Sequence, residues 1–400
     1  MATMRDVALR AGVSIATVSF LVNGTKRVSP ETSARITAAM EDLGYRRNMV
    51  ARALASRQTR IIALLFPALQ HRLGGTALSF VNGAAHAAHE HGYNLVLWPV
   101  SNDADQMMEL IDGGLADGVL LMEVLMDDPR VERLVDRKTP FALIGRTKDP
   151  SDLPYVDMDF ALMVEEGLDY LIGLGHSTIA LVAERITDPG MAGYGPLVRT
   201  EASYRDAMAQ RGLTPVVIRC DDSPQGGRAG AAELLEMAPE TTAVMVINDD
   251  GALGLLSGLT RAGRRVPEDI SILSLATTPE MGAMSDPILS TMDAPGTELG
   301  TLGVEALIDQ LEGRTESLPQ VLLPVPLNVA DSTGPARPEL RAKPGMPFGQ
   351  LSNEGAGRNQ PSEGSAHPVG NTRDDNEPAS GESVDGGARD DLGATPHHAG

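Results

Sequence analysis

The sequence predicts an α/β protein with a small all-α headpiece, a two-lobed core of parallel sheets and a disordered C-terminal tail. Two short apolar-periodic segments at the start of the chain indicate the helical headpiece. From residue 61 onward, apolar runs of strand length alternate with helix-like stretches, which is typical of parallel sheets covered on both faces. This region has about 270 residues, more than one usual sheet domain, so two lobes are expected.

The headpiece begins with two segments, residues 4–12 and 14–23, that meet at Gly12. Thr3 precedes Asp6 by three residues, the spacing of a capping box at the start of the first helix. The apolar positions of both segments fall at helical spacing and predict a small shared core: Val7, Ala8, Ala11, Val18, Leu21 and Val22. This layout predicts a helix-turn-helix, whose second helix enters the major groove of DNA.

A third helix follows, with Ser29 as N-cap, Pro30 at its first position and Gly44 as its stop signal. Its inward residues are predicted to be Ile36, Met40 and Leu43.

The charge distribution favours DNA as the partner of this headpiece. Residues 1–60 contain ten Lys/Arg and four Asp/Glu, a net charge of +6. The whole chain carries −21, so residues 61–400 carry −27. A basic segment on an acidic protein is suited to neutralising phosphates.

Predicted strands and helices alternate along the core. The strands are predicted at 61–67, 93–100, 118–124, 140–146, 176–184, 214–220, 242–249 and 270–276. The helices are predicted at 77–92, 104–113, 200–211, 226–237 and 252–262. From about residue 334 the chain is rich in Pro, Gly, Ser, Asn and acidic residues, a composition that does not sustain a packed core. This tail either recruits a partner or only solvates the protein.

Four motifs in this order resemble the lactose-repressor (LacI/GalR) family of bacterial transcriptional regulators: VSIATVSFLVNG, VSPET, LGYRRNMVARAL and INDDGALGLLSGLTRAGRRVPEDISI. The resemblance runs from about Met4 to about Asp331. It implies a two-lobed, periplasmic-binding-protein-like core. It also implies a homodimer or tetramer on a near-palindromic operator, controlled by a small-molecule effector. The expected domains are a headpiece (1–46), a hinge (47–59), an effector-binding and dimerisation core (60–333) and the tail (334–400).

The segment 45–56 resembles the hinge helix of that family. Asn48 is suited to cap a helix that ends near Ala55, and a helix this short needs support from DNA and a second copy. The resemblance assigns to Leu54 the leucine that wedges into a minor-groove base step, with Arg52 nearby for phosphate or groove contacts. The alternative for Leu54 is an ordinary buried linker position.

The same resemblance places further DNA contacts on the headpiece. Short polar side chains suited to phosphates stand at Ser14, Thr17, Ser19 and Asn23. Ser29 and Tyr45 are expected to contact the DNA backbone, although Tyr45 could equally be structural.

Ile15, Ala16 and Phe20 occupy the base-contacting positions. Phe20 departs from an arginine that is common in the family. A phenylalanine offers only apolar contact, for example to a thymine methyl group, so the half-site sequence stays open. The alternative is that Phe20 belongs to the headpiece core.

Effector contacts are expected where ligands bind such folds, just beyond the carboxyl ends of the strands in the cleft between lobes. The candidates are Arg146, Asp157, Arg199, Asn248 and Asp249. Arg199 is expected just before a helix that begins near Thr200. These groups are suited to sugar hydroxyls, a phosphate or a carboxylate. Turn and capping chemistry is the alternative for Asn248 and Asp249, and a surface salt bridge for the two arginines.

Three departures from the family leave the effector open. Thr200, not an arginine, stands four residues before Tyr204; the segment 276–278 lacks an acidic pair; and residues 70–75 replace an Asn-Pro-Phe segment. Either the ligand class is unusual or ligand control has been lost.

The composition also argues against several other classes of protein. The single cysteine, Cys220, excludes an intramolecular disulfide framework and suits the cytoplasm. The sequence has no long apolar run or signal region, which predicts no membrane association. No catalytic motif is present, no cofactor is expected, and the cluster His86, His89 and His91 lacks the spacing of a metal site. The predicted function is therefore a non-enzymatic regulator, most simply a repressor. Two alternatives remain: a solute-binding module with a vestigial headpiece, and a DNA-binding protein without ligand control.

Overall fold

The computed structural model describes residues 2–23, 26–45, 58–67, 75–100, 102–314 and 317–337. Three helices form the headpiece: α1 (Met4–Ala11), α2 (Ile15–Asn23) and α3 (Pro30–Asp42). Two six-stranded sheets with helices on both faces form the core that follows. The predicted fold class is thus confirmed for the part of the chain that the structure describes.

The three headpiece helices pack around Val7, Val18 and Ile36, which are fully buried. The predicted capping box is present, because the Thr3 hydroxyl accepts from the Asp6 amide at 3.3 Å and the Asp6 carboxylate accepts from the Thr3 amide at 2.8 Å. One predicted core position is wrong. Leu43 lies at the end of α3, where the chain leaves the helix, and remains 36% exposed.

The turn between α1 and α2 is fixed from two directions. Gly12 adopts a left-handed conformation (φ 62°) that a side chain would strain, and it ends α1. Arg35 of α3 donates to the carbonyl oxygen of Ala11 at 2.6 Å. The angle between the first two helices is therefore set by contacts with the third.

The first lobe contains a fully parallel sheet in the order β2-β1-β3-β4-β5-β11. Its strands are β1 (Ile61–Leu65), β2 (Asn94–Trp98), β3 (Gly118–Leu121), β4 (Phe141–Ile144), β5 (Tyr155–Met158) and β11 (Gln320–Leu323). Its helices are α4 (Gly75–Glu90), α5 (Ala104–Asp112), α6 (Pro129–Arg137) and α12 (Gly296–Leu311). Gly83 lets α4 touch α12, since a Cβ there would lie 2.0 Å from the Thr297 carbonyl oxygen.

The second lobe contains a sheet in the order β7-β6-β8-β9-β10-β12, parallel except for the last pair. Its strands are β6 (Ile179–Glu184), β7 (Val216–Cys220), β8 (Ala243–Ile247), β9 (Ser271–Thr277), β10 (Ser290–Asp293) and β12 (Leu327–Asn328). Its helices are α7 (Phe160–Gly173), α8 (Gly195–Gln210), α9 (Pro224–Met237), α10 (Asp249–Arg261) and α11 (Pro279–Gly282).

The chain crosses between the lobes three times, after β5, after β10 and after β11. The parallel strands of both sheets point their carboxyl ends at the space between the lobes, where residues at and beyond those ends line one cavity. This geometry creates the cleft that the sequence predicts.

The ordered core extends beyond its predicted end at residue 333. Ala336 is buried and its amide donates to the Leu174 carbonyl oxygen at 2.9 Å, while the Gly334 amide donates to the Ser271 hydroxyl at 3.0 Å. Residues 334–337 therefore pack on the second lobe. The remaining tail, 338–400, lies outside the described residues.

Candidate functional site: headpiece surface and inter-lobe cavity

The outward face of the helix-turn-helix begins with Ser14, Ile15 and Ala16, which are all exposed. Ile15 presents 49% of its surface to solvent, which is unusual for isoleucine. Thr17 and Ser19 follow on the same helix and are half-buried. The first residues of α2 thus form an accessible surface at the end that a recognition helix presents to base edges.

Some of the predicted polar contacts also have a structural role. The Ser14 hydroxyl accepts from the Thr17 amide at 3.0 Å at the start of α2, and the Ser29 hydroxyl accepts from the Thr32 amide at 3.3 Å at the start of α3. Tyr45 packs against the buried headpiece cluster. Both hydroxyls remain on exposed residues.

Phe20 lies outside the buried headpiece cluster and is half-buried. The Lys26 ammonium group sits 5.2 Å from the centre of its ring, within the range of a cation–π contact. Phe20 and Lys26 therefore place an apolar ring and a basic group side by side on the headpiece. The side chain of Asn23 and the whole of Asn48, Arg52 and Leu54 lie outside the described residues.

A cavity of about 260 Å³ lies between the lobes, at the carboxyl ends of both sheets. The first lobe contributes residues that follow β1, β3 and β4 and residues from α4. The second contributes the ends of β6 and β9 and the residues that follow β7 and β8. Its polar and aromatic wall comprises Phe66, Thr76, Phe80, Glu123, Asp157, Phe160, Glu184, Tyr194, Asp222, Asn248 and Asp249.

A second cavity, of about 860 Å³, adjoins the first and shares Glu123, Glu184, Tyr194 and Asp222 with it. Arg185 is the one basic residue on the described wall of this second cavity, and its guanidinium is paired with Asp221 at 3.2 Å. The four shared residues therefore stand where the two spaces meet.

Glu184 is a buried carboxyl group at this junction with a raised pKa. Burial raises its pKa to about 7, and the nearby negative charge of Asp222 adds to the rise. Burial also raises the pKa of Tyr194 well above its ordinary value, with further contributions from Glu123 and Glu184. Each shift has the same cause, removal from water beside negative charge.

Arg146, Asp157 and Arg199 form a cluster at the edge of the cavity, and the structure corrects the predicted positions of Asp157 and Arg199. Asp157 lies within β5 rather than after it, and Arg199 lies inside α8 rather than before it. Asp157 lines the cavity, whereas the two arginines do not. The Asp157 carboxylate accepts from Arg146 Nε at 3.2 Å, and Arg199 Nη1 lies 3.9 Å away.

Arg199 joins the two lobes. From α8 of the second lobe, its Nη2 donates to the carbonyl oxygens of Arg146 and of Thr147, the latter at 3.0 Å, both in the first lobe. Its side chain is only 12% exposed. A surface salt bridge therefore does not describe Arg199. Burial raises the pKa of Asp157 to about 6, although the charges of Arg199 and Arg146 oppose that rise.

Asn248 and Asp249 line the cavity and also serve the helix that follows. The Asn248 side-chain oxygen accepts from the Gly251 amide at 2.6 Å and caps α10. Asp249 accepts from the Thr76 hydroxyl at 2.7 Å, a hydrogen bond between the lobes. The capping and ligand-contact interpretations of this pair are compatible.

Within the described ranges, no group of three or more His, Cys, Asp or Glu residues is arranged to hold a metal ion. No helix there is long and apolar enough to cross a membrane. In the same ranges, the only salt bridge of His86 is with Glu90, one turn further along α4, at 3.5 Å.

Comparison with known proteins assigns the family. A profile of bacterial regulatory proteins of the lacI family matches residues 3–48, and one of a periplasmic binding protein-like domain matches residues 168–333. The HTH-type transcriptional regulator CelR of Thermobifida fusca is 30% identical over 344 residues, covering 82% of this chain and 98% of CelR. The chain belongs to the LacI family.

Solved structures agree with this assignment of the LacI-family chain. The lac repressor dimer bound to operator and the anti-inducer ONPF has a TM-score of 0.73 and 25% identity, covering 83% of this chain and 99% of the repressor chain. A CelR–cellobiose complex has a TM-score of 0.62 and 27% identity, covering 83% of this chain and 100% of the CelR chain. The relatives are DNA-binding regulators, and the predicted helix-turn-helix and periplasmic-binding-protein-like core are confirmed.

Several cavity residues of this LacI-family chain were not predicted from the sequence. Glu184 ends a predicted strand and Asp222 follows one, so the rule that selected Asp157 would also have selected them. Glu123 likewise lies at the end of the predicted run 118–124. Tyr194 and Phe80 come from a loop and from a helix, and no pattern in the sequence marks them as cavity residues.

Proposed function

We propose that this LacI-family chain is a transcriptional repressor that binds a palindromic operator as a dimer and responds to a sugar-type effector in the inter-lobe cavity. The observation that supports the proposal most is the coexistence of an exposed recognition surface with a partly open, polar and aromatic cavity on one chain. The CelR–cellobiose complex supports a saccharide as the ligand class. The cytoplasm is the proposed location, since that is where an operator is found.

The proposed DNA contacts are those that the resemblance assigns. Ser14, Thr17, Ser19, Asn23, Ser29 and Tyr45 contact phosphates; Ile15, Ala16 and Phe20 contact bases; and Asn48, Arg52 and Leu54 form the hinge. The boundaries 1–46, 47–59 and 60–333 remain the proposed domains, with residues 334–337 added to the core. For the effector, Asp157, Asn248 and Asp249 stay as proposed contacts because they line the cavity. Arg146 and Arg199 are proposed to act indirectly. Both face Asp157, and Arg199 also links the two lobes.

The headpiece itself favours a regulator over a solute-binding module. A vestigial headpiece has no reason to keep a complete capping box, a fully buried core and the Arg35 contact to the turn. Selection of bound fragments from a random DNA pool tests the proposal. A palindromic product whose affinity falls steeply with added salt supports it, whereas equal weak binding to every duplex would contradict it.

Phe20→Ala is expected to lower operator affinity about tenfold and to relax the preference for one base pair in each half-site. The ring supplies the apolar contact and holds Lys26 beside it. Fluorescence anisotropy on operator and on variants of that base pair measures both effects.

Leu9→Ala provides the matched control, because Leu9 is a 76% exposed apolar residue on α1 and is not one of the proposed DNA contacts. Unchanged base preference in the Phe20 variant, with the fold intact by circular dichroism, would remove Phe20 from the proposed base contacts.

A further inference from the structure

The carboxylate of Asp117, which directly precedes β3, holds the chain where it enters the core. Its Oδ1 atom accepts from the Thr59 amide at 2.7 Å and from the Thr59 hydroxyl at 2.8 Å, and its Oδ2 atom accepts from the Arg60 amide at 2.8 Å. The Asp117 amide in turn donates to the Ile61 carbonyl oxygen at 2.8 Å. Hydrogen bonds to an ionised acceptor are shorter and stronger than neutral ones. Asp117 therefore holds the backbone on both sides of Arg60.

Arg60 has a backbone conformation that needs such support. Its φ of 55° lies in the left-handed region, which favours glycine and which other residues keep only where the surrounding structure holds them. The Arg60 guanidinium lies 4.7 Å from the centre of the Tyr93 ring and pairs with the Glu312 carboxylate at 3.1 Å. The Arg60 carbonyl oxygen accepts from the Asn94 amide at 2.8 Å. We call the central residues of this arrangement the anchor: Thr59, Arg60, Tyr93, Asp117 and Glu312.

The residues that hold Arg60 belong to the packed part of the first lobe. Tyr93 is 3% exposed and lies in the main buried cluster of the core. Glu312 ends α12, whose backbone lies directly against α4, because a Cβ on Gly300 would collide with the Phe80 carbonyl oxygen. Close-packed interiors have low compressibility. The anchor therefore moves with the first lobe as one body.

The anchor lies between the core and the part of the chain that carries the proposed DNA contacts. Thr59 is the last residue of the expected hinge 47–59, and the headpiece lies on its N-terminal side. A headpiece on a short connection reaches only those half-sites that its point of departure from the core allows. A dimer on a palindromic operator has two such points, and their separation limits the spacing of the two half-sites.

We propose that Asp117 is a positioning residue for operator binding. Together with Arg60, it fixes the place and the direction in which each chain leaves the first lobe, and it thereby sets the half-site spacing that the dimer accepts. Asp117 acts through the backbone of residues 59 and 60 and does not touch DNA. This inference rests on the proposed function, since it needs a dimer on a palindromic operator.

Operators of altered spacing test the proposal on the full-length protein. The probes are the palindrome selected from the random DNA pool, versions with one base pair inserted into or removed from its centre, and a duplex with a single half-site. We expect the parental protein to bind the two altered versions about tenfold or more weakly than the selected palindrome. Fluorescence anisotropy measures each affinity.

Asp117→Ala removes the acceptor of the Thr59 and Arg60 donors. We expect this variant to bind the selected palindrome about tenfold more weakly than the parental protein does, the order for lost hydrogen bonds to a charged group. The two altered versions are expected to come within about threefold of the selected palindrome. The single half-site is expected to bind both proteins alike, because the headpiece is unchanged. An alanine variant that keeps the parental ranking of spacings would overturn the proposal.

Further variants separate positioning from stability, with thermal unfolding as a check of each fold. Asp117→Asn keeps one acceptor oxygen for Thr59 and is expected to have an intermediate spacing preference, so it carries the test if the alanine variant unfolds. Asp112→Ala removes an exposed carboxylate of the same lobe, paired with Arg137 at 3.4 Å, and is expected to keep the parental ranking. An equal loss of ranking in the Asp112 variant would assign the effect to stability and overturn the positioning role.

The same measurements separate this inference from the function on which it rests. A parental protein that binds the palindrome no better than the single half-site contradicts the dimeric repressor itself. A parental protein with a strong spacing preference, shared by both Asp117 variants, contradicts the positioning role alone.

Discussion

Replacing Asp128 with alanine is expected to lower the free energy of unfolding of the first lobe by about 3–5 kcal/mol. The side chains of Asp128 and Arg130 are 0% and 1% exposed and meet at 2.7 Å. Without the carboxylate, a guanidinium charge stays buried with no counter-charge, and the amides of Leu125 and Arg130 lose their acceptor. Urea unfolding followed by the fluorescence of Trp98, the only tryptophan, reports on this lobe.

The same pair fixes one wall of the cavity. Arg130 donates to the carbonyl oxygen of Glu123 at 2.9 Å, and Asp128 accepts from the amide of Leu125. The loop between β3 and α6 therefore takes its shape from a buried ion pair. The variant is expected to weaken effector binding as well as the fold, since Glu123 lies at the cavity junction.

Two controls separate a buried charge from a general loss of ion pairs. Asp105→Ala breaks an exposed pair with Arg133 at 2.9 Å and is expected to change stability by less than about 1 kcal/mol. The double variant Asp128→Ala with Arg130→Met removes both charges and is expected to recover part of the loss. A single Asp128 variant as stable as the Asp105 variant would contradict the argument.

Most of the fold could be predicted from the sequence, because each central strand is a continuous apolar run. The predicted strands at 61–67, 118–124 and 242–249 each contain an observed one. Three helices of nine or more residues were not predicted: Pro129–Arg137, Phe160–Gly173 and Gly296–Leu311. In the helix Gly296–Leu311, glycines lie directly against the backbone of α4. These small residues weaken the apolar periodicity that predicts a helix.

Only part of the site could be predicted from the sequence, for a physical reason. Sequence places a residue near the end of a strand but does not say which way its side chain points. Asp157, Asn248 and Asp249 face the cavity, whereas Arg146 and Arg199 contact Asp157 and carbonyl oxygens. For Arg199, the direction of the side chain depends on where α8 begins. The helix begins at Gly195 rather than near Thr200, so Arg199 lies within it.

Arg199→Met is expected to shift the lobes toward an open arrangement by about tenfold to hundredfold, the range for lost hydrogen bonds from a charged group. The variant loses the donors to the carbonyl oxygens of Arg146 and Thr147, which are the acceptors on the opposite lobe. It also leaves Asp157 with Arg146 alone. A ligand that contacts both lobes then binds more weakly, in proportion to the lost closed population.

Distances between spin labels measure this shift without any ligand. Leu115→Cys and Met237→Cys place labels on exposed positions of the first and second lobes, while the native Cys220 is buried. The Arg199 variant is expected to give a longer, broader distance distribution. Arg205→Met is the matched control, because Arg205 lies on the same helix, is exposed and pairs with Glu201 at 2.8 Å. If both variants keep the parental distribution, Arg199 packs between the lobes without holding them together.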